Sequence, residues 1–213
     1  MVDLKEPKNG PIGMLDSKDI RNIVLALRDN KFCGKISTTF ELNQGNMPGP
    51  DIAKIEELVR LGLDYIKIGV SADGNTWATL RTFTENLSKI KNRLLDNKLI
   101  LVLMITDKHS FKFVKNISPS MVRKFSGIMI DTLDKENGSV FDIVDFTELN
   151  IIKKLALEKN VDFGIAGSLD ISHTKLINQL QPNWAGYRGG VCMGKRAGPL
   201  SRVRVENLID SFC

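Results

Sequence analysis

Three lysines, each within or just beyond an apolar run, are the residues best suited to chemistry: Lys5, Lys67 and Lys135. Lys5 lies in Met-Val-Asp-Leu-Lys-Glu-Pro (1–7). Side chains alternate between the faces of a strand, so Asp3 and Lys5 share one face and Val2 and Leu4 the other. An isolated Asp-x-Lys is more often a pair of solvated charges, since both residue types are usually exposed. Lys67 changes the balance. It sits in Tyr-Ile-Lys-Ile-Gly-Val (65–70), flanked by Ile66 and Ile68 on the opposite face. A lysine in such a strand is buried, and a buried lysine needs a partner or a function. Asp131 closes Gly-Ile-Met-Ile-Asp (127–131) in phase with Met129, and Lys135 follows in the next loop. Glu6 and Arg188 complete the polar groups expected at strand ends.

Lysines and aspartates gathered at one mouth fit Schiff-base chemistry. The amine must be neutral to attack a carbonyl, and desolvation or a second ammonium lowers a lysine pKa. A second lysine can then move protons, while aspartates balance charge and orient the amines. Spacing alone leaves open a structural ion-pair network, which perturbs pKa values as well. A separate signal points to phosphate. Ile-Ala-Gly-Ser-Leu (165–169) contributes Gly167 and Ser168, and a later run contributes Arg188, Gly189 and Gly190. Glycine backbone N–H groups near a helix start can cradle phosphate.

The elements that must position these groups alternate along the chain. Strands are expected at Val2–Lys5, Lys35–Phe40, Tyr65–Val70, Leu99–Ile105, Gly127–Asp131, Asp162–Gly167 and Trp184–Gly189. Helices are expected at Lys18–Arg28, Asp51–Leu61, Thr76–Leu95, Pro119–Lys124, Thr147–Glu158, His173–Leu180 and Arg204–Phe212. Strand–helix alternation implies a parallel sheet buried on both faces. No linker or shift of composition interrupts the chain, so residues 1–213 are expected to form one (β/α) barrel domain. A closed barrel needs eight βα units. The chain opens directly in a strand, so the first unit is the one expected to be missing. An open doubly wound sheet is the alternative, but no GxGxxG follows the first strand and no P-loop occurs.

Composition narrows the partners. The 213 residues carry a net charge of +5, with Lys and Arg scattered and only 2 Trp and 2 Tyr. Nucleic-acid binding is therefore disfavoured, for lack of basic–aromatic interleaving; small phosphorylated substrates fit the charge better. No apolar run reaches membrane-spanning length, and the first residues are charged and strand-like rather than a leader. A cytoplasmic protein that does not engage membranes is expected. Cys33, Cys192 and Cys213 form no CxxC pair, so neither a disulfide framework nor a zinc site is expected. His109 and His173 are read as surface or helix-start residues; a Cys192 pairing with either has no local support. Strand edges left open by an incomplete barrel would favour self-association.

Taken together, the motifs resemble a known family. Asp-Leu-Lys-Glu-Pro (3–7) with Gly10 and Ile12-Gly13, Tyr-Ile-Lys-Ile-Gly (65–69), Met-Ile-Asp-Thr with Lys135, Ile-Ala-Gly-Ser-Leu (165–169) and Tyr-Arg-Gly-Gly-Val-Cys (187–192) resemble (5-formylfuran-3-yl)methyl phosphate synthase, in order and over nearly the whole chain. The resemblance implies a TIM-barrel lyase of methanofuran or methylofuran biosynthesis, serving one-carbon metabolism. It would condense two glyceraldehyde 3-phosphate molecules, with loss of phosphate and water, and use no metal or organic cofactor. It implies that Lys5 is the Schiff-base lysine, that Lys67 accepts a proton, and that Asp3, Asp131 and Lys135 support them. The chain departs from the family pattern in lacking a βα unit before Asp3, at Thr39-Phe40-Glu41-Leu42 after the second strand, and at Met104-Ile105-Thr106-Asp107. Another class I aldolase-like barrel, or a catalytically silent phosphate-binding barrel, are the other readings.

Overall fold

The β-branched runs fold as the alternation predicts. The computed structural model describes residues 1–6, 13–42, 49–72, 74–89, 98–134, 137–194 and 198–212. Among these, seven strands form one sheet: β1 (Val2–Leu4), β2 (Ile36–Glu41), β3 (Tyr65–Ser71), β4 (Leu99–Ile105), β5 (Gly127–Thr132), β6 (Asp162–Leu169) and β7 (Trp184–Tyr187). They lie in sequence order, and each pairs with the next in parallel. The connections carry α1 (Ser17–Asp29), α2 (Gly49–Arg60), α3 (Gly74–Lys89), α4 (Lys108–Lys115), α5 (Pro119–Val122), α6 (Val140–Ile143), α7 (Phe146–Glu158) and α8 (Thr174–Leu180); α9 (Arg202–Asp210) follows β7.

Alternation along the strands divides the apolar side chains into two cores. Ile66, Ile68, Leu101, Leu103, Ile128 and Ile130 face outward and pack with helix residues such as Ile20, Val24, Leu58, Leu80 and Phe111. Ile100, Val102, Met104 and Met129 face the other way, with Tyr65, Ala166 and Trp184. This second core shows that the sheet curls. Tyr65 on β3 and Trp184 on β7 are separated by three strands, yet their rings meet edge to face at 5.9 Å. A flat sheet would hold them roughly 19 Å apart, at about 4.8 Å per strand.

The curl stops short of closure. Among the described residues β1 pairs only with β2, and β7 only with β6. The structure is thus a parallel, curled, partial α/β barrel. The flank beyond β7 is thinly covered: α9 has no buried residue, and Val203, Ile209 and Phe212 are exposed.

Several elements differ from the sequence reading: α6 is not expected, and β7 ends at Tyr187 rather than at Gly189, which enters a 3₁₀ turn. α4 occupies a stretch where no helix is expected. Asp107 and Ser110 form a reciprocal capping box there, and Phe111 and Val114 anchor the helix to the outer core. β6 also runs two residues past its expected end at Gly167, so Ser168 and Leu169 belong to the strand as well. Gly167 and Ser168 take left-handed backbone angles, φ +109° and +49°, and the pairing with β7 shifts register between Ile165 and Leu169. Gly167 is required here, because a Cβ would lie 2.7 Å from Thr132 Cγ2 on β5.

Trp184 fills the lower interior by lying over Gly127, where a Cβ would run into the indole. Replacing a strand glycine with alanine usually stabilises where the backbone allows it. Here the sign should reverse: Gly127→Ala is expected to cost about 1–3 kcal/mol through overpacking, read as a lower midpoint in thermal or urea denaturation.

Candidate active site

Asp3 organises the interior charges. Its Oδ1 receives Lys67 Nζ at 3.2 Å, and its Oδ2 faces Lys5 Nζ at 3.6 Å. Ser37 Oγ donates to the same Oδ1 at 2.7 Å. Lys67 is only 7% exposed, so a lysine on the central strand β3 is satisfied by a carboxylate from β1. Burial pushes the Asp3 carboxyl upward, but the ammoniums of Lys67 and Lys5 and the Ser37 hydroxyl outweigh it. The group is held below the usual carboxylate range.

Strand register gives the heights. In a barrel a level ring climbs about one residue per strand, because the strands tilt. Tyr65 and Trp184 obey this: the pairings carry Trp184 through Gly164, Met129 and Val102 to Gly69, four residues beyond Tyr65, and the rings meet. Asp3 and Lys67 are two strands and two residues apart on this scale, hence on one level. The pairing of Leu4 with Thr38, carried one residue on, sets Lys5 in the row of Thr39, Lys67, Ile100 and Gly127. Asp131 lies four residues past Gly127 and four strands from β1, so Asp131 and Lys5 share the next level up. Asp131 is 7% exposed, and its Oδ1 accepts the N–H of Thr132 at 2.8 Å.

The structure thus brings together Asp3, Lys5 and Lys67, and aims Asp131 into the same interior. Lys135 lies outside the described residues. Gly167 and Ser168 end β6, and Arg188 follows β7 at the same rim; Gly189 and Gly190 enter a single 3₁₀ turn, Gly189–Val191. Gly190 is pressed against Asp170, where a Cβ would lie 2.9 Å from Cα, while a Cβ at Gly189 would meet nothing within 4 Å. The two rim segments therefore touch, and Gly189 presents open backbone. The backbone N–H of Glu6 donates to Gly13 O at 2.9 Å.

Sequence reasoning passed over Ser37 and Thr39. The available signal was Ser37-Thr38-Thr39, three hydroxyls in a row on a strand whose first five residues are buried. Thr38 faces outward and donates to Leu4 O at 2.8 Å. The histidines fall at helix starts: His109 in the first turn of α4, and His173 before α8, stacked on Phe141. Cys192 is buried beyond β7. Among the described residues no cluster of potential metal ligands occurs, and no helix is long and apolar enough to cross a membrane.

The pattern of the 4-HFC-P synthase family matches residues 1–209. The chain belongs to the 4-HFC-P synthase family. Proteins named (5-formylfuran-3-yl)methyl phosphate synthase are similar to it throughout. The Methanosarcina mazei protein is 26% identical over 98% of this chain and 88% of its own length. The Archaeoglobus fulgidus protein is 26% identical, over 99% and 89%. The Methanothermobacter thermautotrophicus protein is 24% identical, over 100% and 91%. Among solved structures, phosphoribosyl anthranilate isomerase from Thermus thermophilus is similar in fold, with a TM-score of 0.58 at 12% identity, covering 99% of this chain and 84% of that one. The synthase family and the barrel-like fold therefore agree with the reading from the motifs.

The depressed Asp3 value gives this 4-HFC-P synthase family member a defined acid response. A carboxyl with a lowered folded-state pKa adds stability above its unfolded value, about 4, and loses it as pH falls through the folded value. Asp3→Asn also leaves Lys67 without its carboxylate, which for a buried pair costs on the order of 3 kcal/mol. Melts from pH 7 to pH 2.5 should show the variant well below wild type at neutral pH and the gap closing below about pH 4.

Proposed function

We propose that the protein makes (5-formylfuran-3-yl)methyl phosphate by condensing two molecules of glyceraldehyde 3-phosphate through a lysine Schiff base. The observation that carries this reading is one carboxylate, Asp3, shared by two interior lysines, Lys5 and Lys67. The names of the relatives support furan phosphate biosynthesis. Lys5 Nζ gives a proton to Asp3, attacks the aldehyde carbon of one triose phosphate as the neutral amine, and that proton is returned to the departing oxygen. The carbonyl oxygen leaves as water, and an iminium remains. Lys67 first passes its own proton to Asp3, 3.2 Å away. As the neutral amine it then removes the proton from the adjacent carbon, and the electron pair moves toward the iminium nitrogen to give an enamine. That carbon adds to the second aldehyde. Lys135 and Asp131 assist the proton transfers that accompany loss of phosphate, loss of water and ring closure. Arg188, Gly167, Ser168, Gly189 and Gly190 hold a substrate phosphate at the rim. The reaction is a lyase reaction of one-carbon carrier biosynthesis, carried out in the cytoplasm.

We also propose that a further strand and helix fill the seam between β7 and β1 in the working enzyme. The outer edges of β1 and β7, unpaired among the described residues, support this, as do the exposed apolar side chains of α9. Slow amide exchange along the outer edges of β1 and β7 in active protein is the expected result; fast exchange there at full activity would overturn it.

The Schiff base is tested by mass. Incubation with glyceraldehyde 3-phosphate and borohydride should add one reduced triose phosphate to wild type and none to Lys5→Ala. Lys67→Met should retain the adduct on Lys5 while furan formation falls by about a hundredfold or more, the usual scale for general acid–base catalysis. An unmodified wild type would sink the proposal, and an adduct with other aldehydes but no furan product would favour an aldolase of different specificity.

A further inference from the structure

Among the described residues, two buried side-chain polar atoms have no hydrogen-bond partner: Thr39 Oγ1 and Tyr187 Oη. Tyr187 packs against the outer core. Thr39 faces the interior instead. It pairs with Lys67 in register, and it lies two residues beyond Ser37, which bonds Asp3. The residue is 3% exposed. A buried hydroxyl without a partner is uncommon and weakens the fold that holds it. Its position explains what it could bond. β2 runs between β1 and β3, and the row through Thr39 has Lys5 on one side and Lys67 on the other. On the barrel's height scale Thr39 falls between the level of Asp3 and Lys67 and the level of Lys5 and Asp131. The flanking ammoniums are donors only, so the hydroxyl oxygen can accept from them but its proton needs an acceptor from elsewhere.

We propose that Thr39 Oγ1 binds the hydroxyl on the carbon next to the one attached to Lys5, and so sets which way that carbon's proton points. This rests on the Schiff-base reading above. The carbon in question carries a hydroxyl, a hydrogen and the phosphate-bearing arm, besides its bond to the iminium carbon. Lys5 holds one bond and the rim at Arg188 and Gly189 holds the arm. Thr39 holds the hydroxyl, donating its proton to that oxygen. With those fixed, the remaining bond to hydrogen is turned toward Lys67, the proton acceptor. Thr39 is thus a substrate-contacting, orienting residue, and it stores its unmet hydrogen bond until substrate arrives.

Thr39→Val keeps the shape and removes the hydroxyl, while Thr39→Ser keeps the hydroxyl. Three readouts separate orientation from structure: the melting midpoint, borohydride trapping on Lys5, and exchange of the triose carbon-bound proton with D₂O. Thr39→Val should melt at or above wild type, since it removes an unsatisfied polar group. It should still be trapped on Lys5, yet lose at least about tenfold in proton exchange and turnover, the worth of one hydrogen bond. Thr39→Ser should recover most of that loss. Wild-type exchange and turnover in Thr39→Val would overturn the proposal, and so would a midpoint well below wild type, which would make the hydroxyl structural. If wild type itself gives no adduct, the Schiff-base reading fails and this proposal falls with it; an adduct on wild type with unimpaired Thr39→Val overturns the orienting role alone.

Discussion

A carboxylate between two ammonium groups, inside a curled sheet, is the constraint on which the rest of the interior depends. Charges placed away from water must be paired and hydrogen-bonded, or they neutralise. Asp3 answers for both Lys5 and Lys67, and Ser37 occupies one of its remaining lone-pair positions. Such a contact is possible only if β1 and β3 present the same face at the same height. Register across β2 supplies that: Asp3 opposite Ser37, Ser37 opposite Tyr65. A one-residue slip of β1 would turn Asp3 and Lys5 outward together and leave Lys67 without its carboxylate.

Below this charged layer the interior is apolar, with Ile100, Met129 and Trp184 filling the space between strands. Those side chains exclude water from beneath the lysines, which strengthens each electrostatic contact above them. Above it the strands end in polar and glycine-rich segments. Two strained or tightly packed glycines, Gly167 against Thr132 and Gly190 against Asp170, draw the ends of β5, β6 and β7 together. The interior therefore grades from apolar floor to paired charges to open backbone. That order suits a carbonyl chemistry in which the reacting carbon must be held low and its phosphate kept at the solvent-facing rim.

The fold was largely legible beforehand because its signals are local. Ile-Lys-Ile in β3 and Gly-Ile-Met-Ile-Asp in β5 alternate faces with a period of two, and that period alone put Lys67 and Asp131 inward. α4 was missed because its apolar positions, Phe111 and Val114, are few and lie among lysines, and only the Asp107–Ser110 capping box announced the helix. The expected strand stops at Gly167, two residues short of the end of β6, because a glycine followed by serine reads as a strand terminus. Gly167 and Ser168 are turn-like in φ, yet the neighbouring strands hold them in the sheet.

The sequence by itself determined the alternating elements, the inward facing of Asp3, Lys67 and Asp131, and the family to which the motifs point. These rest on residue type and on spacing within single segments. Tertiary structure decided which of those charges meet. That Asp3 serves Lys67 as well as Lys5, that Ser37 joins them, and that Thr39 is left with a buried, unpartnered hydroxyl follow from the pairing of β2 between β1 and β3 and from the tilt of the curled sheet. Those are relations between residues far apart in the chain, fixed by backbone hydrogen bonds across strands, and no single segment encodes them.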